Sequence, residues 1–463
     1  MTSSARFTVI SPADDSVYYE GALAGPTELD QALTRAVSAQ REWGRQPLAV
    51  RVDGVRRFLD EVEKVRDEAA DELTAQMGRP RAQAPSELAG FLDRGRTMAR
   101  LAGDALEDYV LPAKDGFTRA IQRVPVGVVL VLAPWNYPWL TAVNAVVPAL
   151  LAGNAVLLKH AEQTPLVAER MSACAALAGL PAGTLQHIHM SHALTADAVR
   201  DARVGAVAFT GSVEGGRAIS HAAAGRFLSV GYELGGKDAA YVCEDTDIAK
   251  AAANVVDGAM YNAGQSCCAV ERVYVHERVL PAFLEAAVAE TRALRLGDPR
   301  EADTNLGPLV RARNAAIVRA QLEQALARGG RALVGADAGA RPPQYVAPEV
   351  VAGVTHDMDL MTAETFGPVV GVMAVGSDAE AVARINDSAY GLTASLWTPD
   401  LARAESLAAQ LDVGTVFMNR CDYLDPELAW VGVRDSGRGC TLSRYGFDGF
   451  TRFKSLHLRH VIP

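Results

Sequence analysis

The stretch Gly264–Cys268, GQSCC, sets two thiols side by side behind a glycine and a glutamine. A pair of cysteines can form half of a disulfide, ligate a metal, or supply a nucleophile with a neighbour. The disulfide is the poorest of these, because adjacent residues rarely bridge and the other cysteines (Cys174, Cys243, Cys421 and Cys440) show no paired framework. Two other clusters carry potential chemistry. In His187–His192, HIHMSH, the imidazoles of His187, His189 and His192 are close enough in sequence to bind a metal. His187 and His189 share one strand face with no carboxylate beside them in sequence, so a surface or packing role is preferred and no metal is assigned. Gly231–Asp238, GYELGGKD, resembles a phosphate-binding P-loop, but Asp238 stands where a hydroxyl residue must hold magnesium. No G-x-G-x-x-G follows a strand, and no G-x-S-x-G elbow is present.

Such side chains need a frame to converge. The longest apolar region, Val124–His160, is interrupted by Pro134, Asn136, Pro138, Pro148 and Gly153, which leaves no run long enough to span a bilayer. It reads instead as a strand over Val126–Leu132, a helix over Leu140–Leu151 and a strand over Ala155–Lys159, a βαβ unit. The alternation continues with a helix from Thr164, a strand over Leu185–Ile188, a helix from Thr195, a strand over Ala206–Phe209 and a helix from Ser212. Short apolar strands alternating with helices imply a doubly wound parallel sheet. Amphipathic helices precede it over Glu28–Trp43, Leu48–Met77 and Gln83–Leu106. After Gly235 the spacing predicts helices over Asp247–Asn262 and Pro281–Leu294 and strands over Val369–Ala374 and Thr415–Met418, a second α/β lobe. Phe117–Val124 and Thr451–Val461 alternate polar with apolar residues and read as antiparallel strands outside both cores.

Composition bounds the function. A chain of 463 residues with 49% hydrophobic and 22% charged residues can bury the cores of two or three domains. The net charge of −10 and the lack of a long basic run argue against nucleic acid and against a polybasic membrane patch, leaving a small molecule as the partner. The first residues show no charged segment followed by an apolar one, so no secretory signal is visible and a cytoplasmic location is expected.

Six motifs stand in order: APWNYPW (Ala133–Trp139), LKHAEQTP (Leu158–Pro165), FTGS (Phe209–Ser212), ELGGK (Glu233–Lys237), GQSC (Gly264–Cys267) and ETFGP (Glu364–Pro368). Together they resemble the aldehyde dehydrogenase superfamily, of the type that does not acylate coenzyme A, from about Ser11 to the C-terminus. The resemblance implies a Rossmann-like cofactor domain (1–112 and 126–235), a catalytic domain (236–446) and a small β oligomerisation element (113–125 and 447–463). It implies that Cys267 is the nucleophile and Cys268 its neighbour: a thiolate adds to an aldehyde carbonyl, and the hemithioacetal passes to a thioester as hydride leaves to NAD. Asn136 and the backbone N–H of Cys267 would hold the oxyanion, and Glu233 would activate the hydrolytic water.

For the cofactor, the resemblance implies that Ser212 and Gly211 open a helix toward the pyrophosphate. Lys159 would reach a ribose hydroxyl, Glu162 the adenosine ribose and Glu364 the nicotinamide ribose, and Trp135, Leu234 and Phe366 would line the pocket. A carboxylate at Glu162 favours NAD over NADP, since it accepts from a 2′-hydroxyl and repels a 2′-phosphate. A homodimer or homotetramer is expected from the flanking strands. Three departures stand out: His160 replaces the usual proline, the HIHMSH segment is shortened, and the segment Asn419–Gly439 lacks the common P-F-G-G. Tyr137, Tyr261, Cys268 and Tyr423 are candidate substrate-pocket residues, with Trp139 a further aromatic. With Asp422, Asp425 and Glu427 at the tunnel mouth, they suit an aldehyde carrying an amine. The rival readings are a coenzyme A-acylating dehydrogenase, an esterase using the same thiol, and a catalytically silent relative kept for binding.

Overall fold

The computed structural model describes residues 5–461. Two parallel sheets dominate it. The first has six strands, in the order Gly437–Arg438, Ser229–Glu233, Val204–Thr210, Val128–Ala133, Ala155–His160 and Leu185–His187. Its central strand Val128–Ala133 is buried at every position, as its continuous apolar run requires of a strand covered on both faces. Helices Leu48–Lys64, Ala84–Leu106, Pro138–Leu151 and Pro165–Leu177 pack on one face. Helix Pro26–Trp43 and the shorter His192–Arg200 and Val213–Ala223 cover the other.

The chain proceeds from Val128–Ala133 outward through Ala155–His160 to Leu185–His187, then returns to pair Val204–Thr210 on the opposite side of Val128–Ala133. That reversal opens a crevice at the carboxyl ends of the two central strands, where doubly wound sheets bind ligands.

The second sheet has seven strands, ordered Arg331–Ala332, Glu349–Ala352, Val369–Val375, Val270–His276, Asp238–Val242, Thr393–Trp397 and Thr415–Met418. All its pairings are parallel apart from the antiparallel edge strand Arg331–Ala332. Because Asp238–Val242 starts five residues after Ser229–Glu233 ends, the amino edge of this sheet faces the carboxyl edge of the first. A third sheet pairs Thr451–Arg459 with Phe117–Pro125 in continuous antiparallel register, with Tyr109–Val110 on its other edge. Tyr109, Val110, Phe453 and Leu458 are exposed on it.

Several boundaries differ from expectation. The helix predicted over Leu48–Met77 is broken at Val65, whose φ of −98° and ψ of 10° end one helix and start Arg66–Met77. The helix expected from Thr195 starts at His192, because the Ser191 hydroxyl caps it by accepting from Leu194 N–H. The N-terminal hairpin Arg6–Ile10 with Val17–Ala22 was not anticipated, nor were Asp238–Val242 and Val270–His276. The segment 236–446 contributes Gly437–Arg438 to the edge of the first sheet, and Phe447 and Phe450 pack into the first core. No helix among the described residues is long and apolar enough to cross a membrane.

Candidate active site

The crevice between the sheets is a cleft of about 1090 Å³. Strand Val128–Ala133 delivers Asn136 to it, since Pro134 ends the strand and Pro138 opens the next helix. The Asn136 side-chain amide donates to the Gln265 carbonyl at 3.2 Å, and the Asn136 backbone carbonyl accepts from Arg79 at 2.6 Å and from Asn262 at 3.3 Å. Arg79 is itself buried in a pair with Glu87, whose second oxygen accepts from Trp139 N–H at 2.7 Å. Thus the Asn136 loop is held from below by a charge pair that no local motif announces.

Cys267 lies half-buried on the cleft wall, three residues ahead of Val270–His276. Among the described residues, its backbone N–H donates to no protein acceptor. Cys268 also lines the cleft, its buried thiol donating to Asp422 Oδ1 at 3.0 Å, with Ser266 donating to the same oxygen at 3.1 Å. The hydrogen bond with Cys267, followed by burial, pushes the Cys268 thiol well up, so it stays protonated.

Glu233 ends its strand at the cleft, accepting from Thr441 and, at 3.2 Å, from Thr210. Burial raises its pKa from the ordinary carboxylate value, against the lowering pull of those two hydroxyls. The glycines after it permit close approach. A Cβ on Gly235 would lie 2.3 Å from Glu364 Oε1, and one on Gly236 would lie 2.3 Å from the Cys267 carbonyl oxygen. ELGGK therefore threads between the ETFGP loop and the cysteine.

Glu364 accepts from Gly236 N–H at 3.1 Å, and desolvation, helped by the negative charge of Glu271, pushes its pKa up to about 7. Phe366 adopts a φ of +52° and meets Trp135 edge-on at 5.7 Å between centroids. That strained loop is tied down by Glu271, which accepts from Thr365 N–H at 2.8 Å and Phe366 N–H at 2.7 Å while pairing with buried Lys237 at 2.8 Å. Lys237 and Glu271 received no role from sequence; the signal was a pair of charged residues, Glu271 and Arg272, inside a buried strand.

At the other end of the cleft Lys159 is buried, donating to the His160 carbonyl at 3.2 Å, and desolvation lowers its pKa against the raising charge of Glu162. Glu162 is exposed on the cleft wall, near both Lys159 and Arg311. Gly211 donates to the Glu233 carbonyl at 3.0 Å, and the Ser212 hydroxyl caps its helix by accepting from Gly215 N–H at 3.1 Å. The hydroxyl is thus engaged, while the helix terminus itself still faces the cleft. Leu234 lines the same wall, packed where a Cβ on Gly216 would lie 2.8 Å from its Cδ2.

Of the pocket candidates, Tyr137 lies under Arg79 at 4.3 Å, and Tyr261 shares a 3.0 Å hydrogen bond with Ser86. Both line the cleft, as does Tyr423, although Arg420 stacks on the Tyr423 ring at 3.2 Å. Trp139 does not reach the cleft; it is fully buried against Phe91, because it follows Pro138 on the core side of its helix. The acidic mouth is also smaller than expected. Glu427 pairs with Arg100 at 2.6 Å, and Asp425 accepts from Glu427 N–H at 2.9 Å. Asp422 remains in the cleft, joined there by Asp257, which sequence reasoning missed. Arg94, also missed, lines the wall and donates to the Leu140 carbonyl at 2.8 Å.

A Rossmann-type sheet whose crevice opens onto a thiol, an amide donor and an enclosed carboxylate defines an α/β oxidoreductase. The sequence profile of the aldehyde dehydrogenase family matches residues 1–456, and the chain belongs to that family of NAD(P)-dependent enzymes. It is 33% identical to the 3,6-anhydro-alpha-L-galactose dehydrogenase of Streptomyces coelicolor, across 100% of this chain and 94% of that one. It is 32% identical to the succinate semialdehyde dehydrogenase [NAD(P)+] Sad of Escherichia coli, covering 94% of each chain. The structure of an NAD-dependent aldehyde dehydrogenase from Sinorhizobium meliloti superposes with a TM-score of 0.96 at 31% identity, covering 100% of this chain and 93% of that one.

Proposed function

We propose that the protein oxidises an aldehyde to the carboxylic acid through a covalent intermediate on Cys267. The observation that carries this reading is the meeting of Cys267, Asn136 and Glu233 in one cleft. The Cys267 thiolate attacks the carbonyl carbon. The Asn136 amide, aligned by its bond to the Gln265 carbonyl, and the unengaged Cys267 N–H receive the developing oxyanion. Once the hemithioacetal has given up its hydride, the thioester that remains is hydrolysed by water that Glu233 deprotonates, for which the carboxylate swings off Thr210 and Thr441. Burial raises its pKa, which makes it a stronger base than an exposed carboxylate. The same glutamate favours hydrolysis over transfer to coenzyme A, and the intact trio favours an enzyme over a silent relative.

The cleft's polar groups fit a nicotinamide dinucleotide. Lys159 is buried with one protein acceptor for three donors, and Glu364 has one protein donor for two oxygens; both suit ribose hydroxyls. When bound, the dinucleotide supplies the hydride acceptor. Glu162 would hold the adenosine ribose and favour NAD, although Lys159 and Arg311 beside it soften the repulsion of a 2′-phosphate. Trp135, Leu234, Phe366 and the helix opening at Gly211–Ser212 would enclose the rest.

Asp257 and Asp422 on a wall shared with Tyr137 and Tyr261 support an aldehyde with a cationic end. We assign residues 1–112 and 126–235 to cofactor binding, 236–446 to catalysis, and 113–125 with 447–463 to oligomerisation. The exposed apolar residues of the third sheet support a homodimer or homotetramer, and six free cysteines support a cytoplasmic location.

The test is reduced-dinucleotide formation over an aldehyde panel with NAD and NADP, with and without coenzyme A. Turnover without coenzyme A and greater efficiency with NAD are expected. An absolute requirement for coenzyme A, or no turnover with any aldehyde, would overturn the hydrolytic reading.

A further inference from the structure

Two of the sequence departures, His160 and the shortened HIHMSH segment, play no part in the proposed reaction, yet the fold brings them together. Strand Leu185–His187 pairs in parallel with Ala155–His160, with Leu158 opposite His187. Two residues further along each chain, His160 and His189 come level on the same sheet face. Helix Pro165–Leu177 crosses that face and contributes Glu169, the carboxylate that sequence neighbours did not supply. The Glu169 carboxylate meets His189 Nε2 at 2.8 Å and accepts from the Tyr19 hydroxyl at 2.6 Å. The His187 and His189 rings lie 5.5 Å apart between centroids, and Phe7 backs His189 at 5.3 Å. Ligand atoms of Glu169, His187 and His189 all fall within 4.8 Å of one another. Behind them His160 is buried, with neither ring nitrogen hydrogen-bonded.

The geometry points to a divalent transition-metal site formed by His187, His189 and Glu169, at the edge of the first sheet and apart from the catalytic cleft. Two imidazoles and one carboxylate are the donor set that zinc and its borderline neighbours accept, with water completing a tetrahedron. Bonds of about 2.1 Å place tetrahedral donors roughly 3.4 Å apart, so His187 must draw in while the 2.8 Å contact between Glu169 and His189 opens slightly. The exposed His187 side chain can turn to do so, since it sits at the open edge of the sheet. The Tyr19 bond to Glu169 supplies the outer contact that orients a ligating carboxylate. A metal here would join three separate pieces of chain: the edge strand, the helix over it and the N-terminal hairpin.

The test uses the full-length, untagged protein with its thiols alkylated, so that Cys267 and its neighbours cannot bind metal. Zinc is titrated in competition with a chromophoric chelator, and cobalt(II) is followed by its visible absorption. One equivalent per chain is expected, with tetrahedral nitrogen–oxygen cobalt bands and a raised melting temperature. His187→Ala and Glu169→Gln should each weaken zinc binding by more than about 100-fold, beyond the loss typical of an outer-shell partner. His187 is exposed, so its variant tests the ligand without disturbing the core. No saturation near one equivalent, or unchanged affinity in the His187→Ala protein, would overturn the assignment.

Discussion

Lys237 and Glu271 form the buried pair beneath the ETFGP loop, and replacing Glu271 by Gln tests whether that pair positions the cleft. Their side chains are 0% and 5% exposed. Glu271 serves three donors: Lys237 Nζ, Thr365 N–H and Phe366 N–H. Glutamine keeps one acceptor oxygen and puts an amide donor in place of the other. With its oxygen in the Oε2 position it still serves Lys237 and Thr365 N–H, while the Phe366 N–H is left unsatisfied, costing about 1–3 kcal/mol, and the Lys237 ammonium loses its counter-charge, keeping only neutral oxygen acceptors. Breaking one side of a buried pair typically costs about 3–5 kcal/mol, and that is the destabilisation expected in urea unfolding.

The functional consequence is more diagnostic. Phe366 holds a φ of +52°, a region costing about 1–3 kcal/mol for a residue with a side chain, and its N–H bond to Glu271 helps to keep it there. When that bond goes, the loop relaxes and carries Glu364 and Phe366 out of place. Dinucleotide binding, read by quenching of protein fluorescence, should weaken at least tenfold at a temperature where the variant remains folded. Unchanged dinucleotide affinity together with a stability loss below about 1 kcal/mol would refute the positioning argument.

Cys267→Ala should abolish aldehyde oxidation and any esterase side activity, since losing a nucleophile costs several orders of magnitude; turnover above ~1% of the parent, measured after mass spectrometry confirms the substitution, would move the nucleophile elsewhere. Glu233→Gln should keep a rapid burst of reduced dinucleotide and stall deacylation in stopped-flow traces. In the parent, deacylation should rise with pH through a carboxylate pKa raised by enclosure, and that limb should vanish in the variant. Glu364, with its pKa near 7, carries a charge-burial penalty that is absent below the unfolded value and complete above about pH 7. Its contribution to stability should therefore fall as pH rises from about 4.5 to 7, and thermal melts of Glu364→Gln should lose that part of the pH slope. Oxidation of 4-aminobutanal should be more efficient than that of butanal at low salt, and Asp257→Asn should narrow the gap; equal efficiencies in the parent would leave an aliphatic aldehyde preference.

Much of this protein was legible locally. Strand Val128–Ala133 could be read because a fully buried parallel strand must be apolar throughout, and helix Pro26–Trp43 because one face alone meets the core. The motif order brought Asn136, Glu233, Cys267, Glu364 and Phe366 onto one list before their geometry was known, and the fold sets them around one cleft.

Strand Val270–His276 was harder, since Glu271 and Arg272 break its apolar run; only the partner Lys237, 34 residues earlier, explains a carboxylate inside a sheet. The same holds for Arg79 under Asn136 and for Glu169 beside His187 and His189. Trp139 went inward and Asp257 outward for reasons of packing that aromaticity and charge do not encode. Hydrophobic period and turn chemistry are properties of neighbouring residues, so the sequence alone determined the elements and the candidate reactive groups. Which charges pair, which side of a loop meets the cleft and which imidazoles share a carboxylate depend on contacts between distant segments, and these exist only once the sheets have closed on one another.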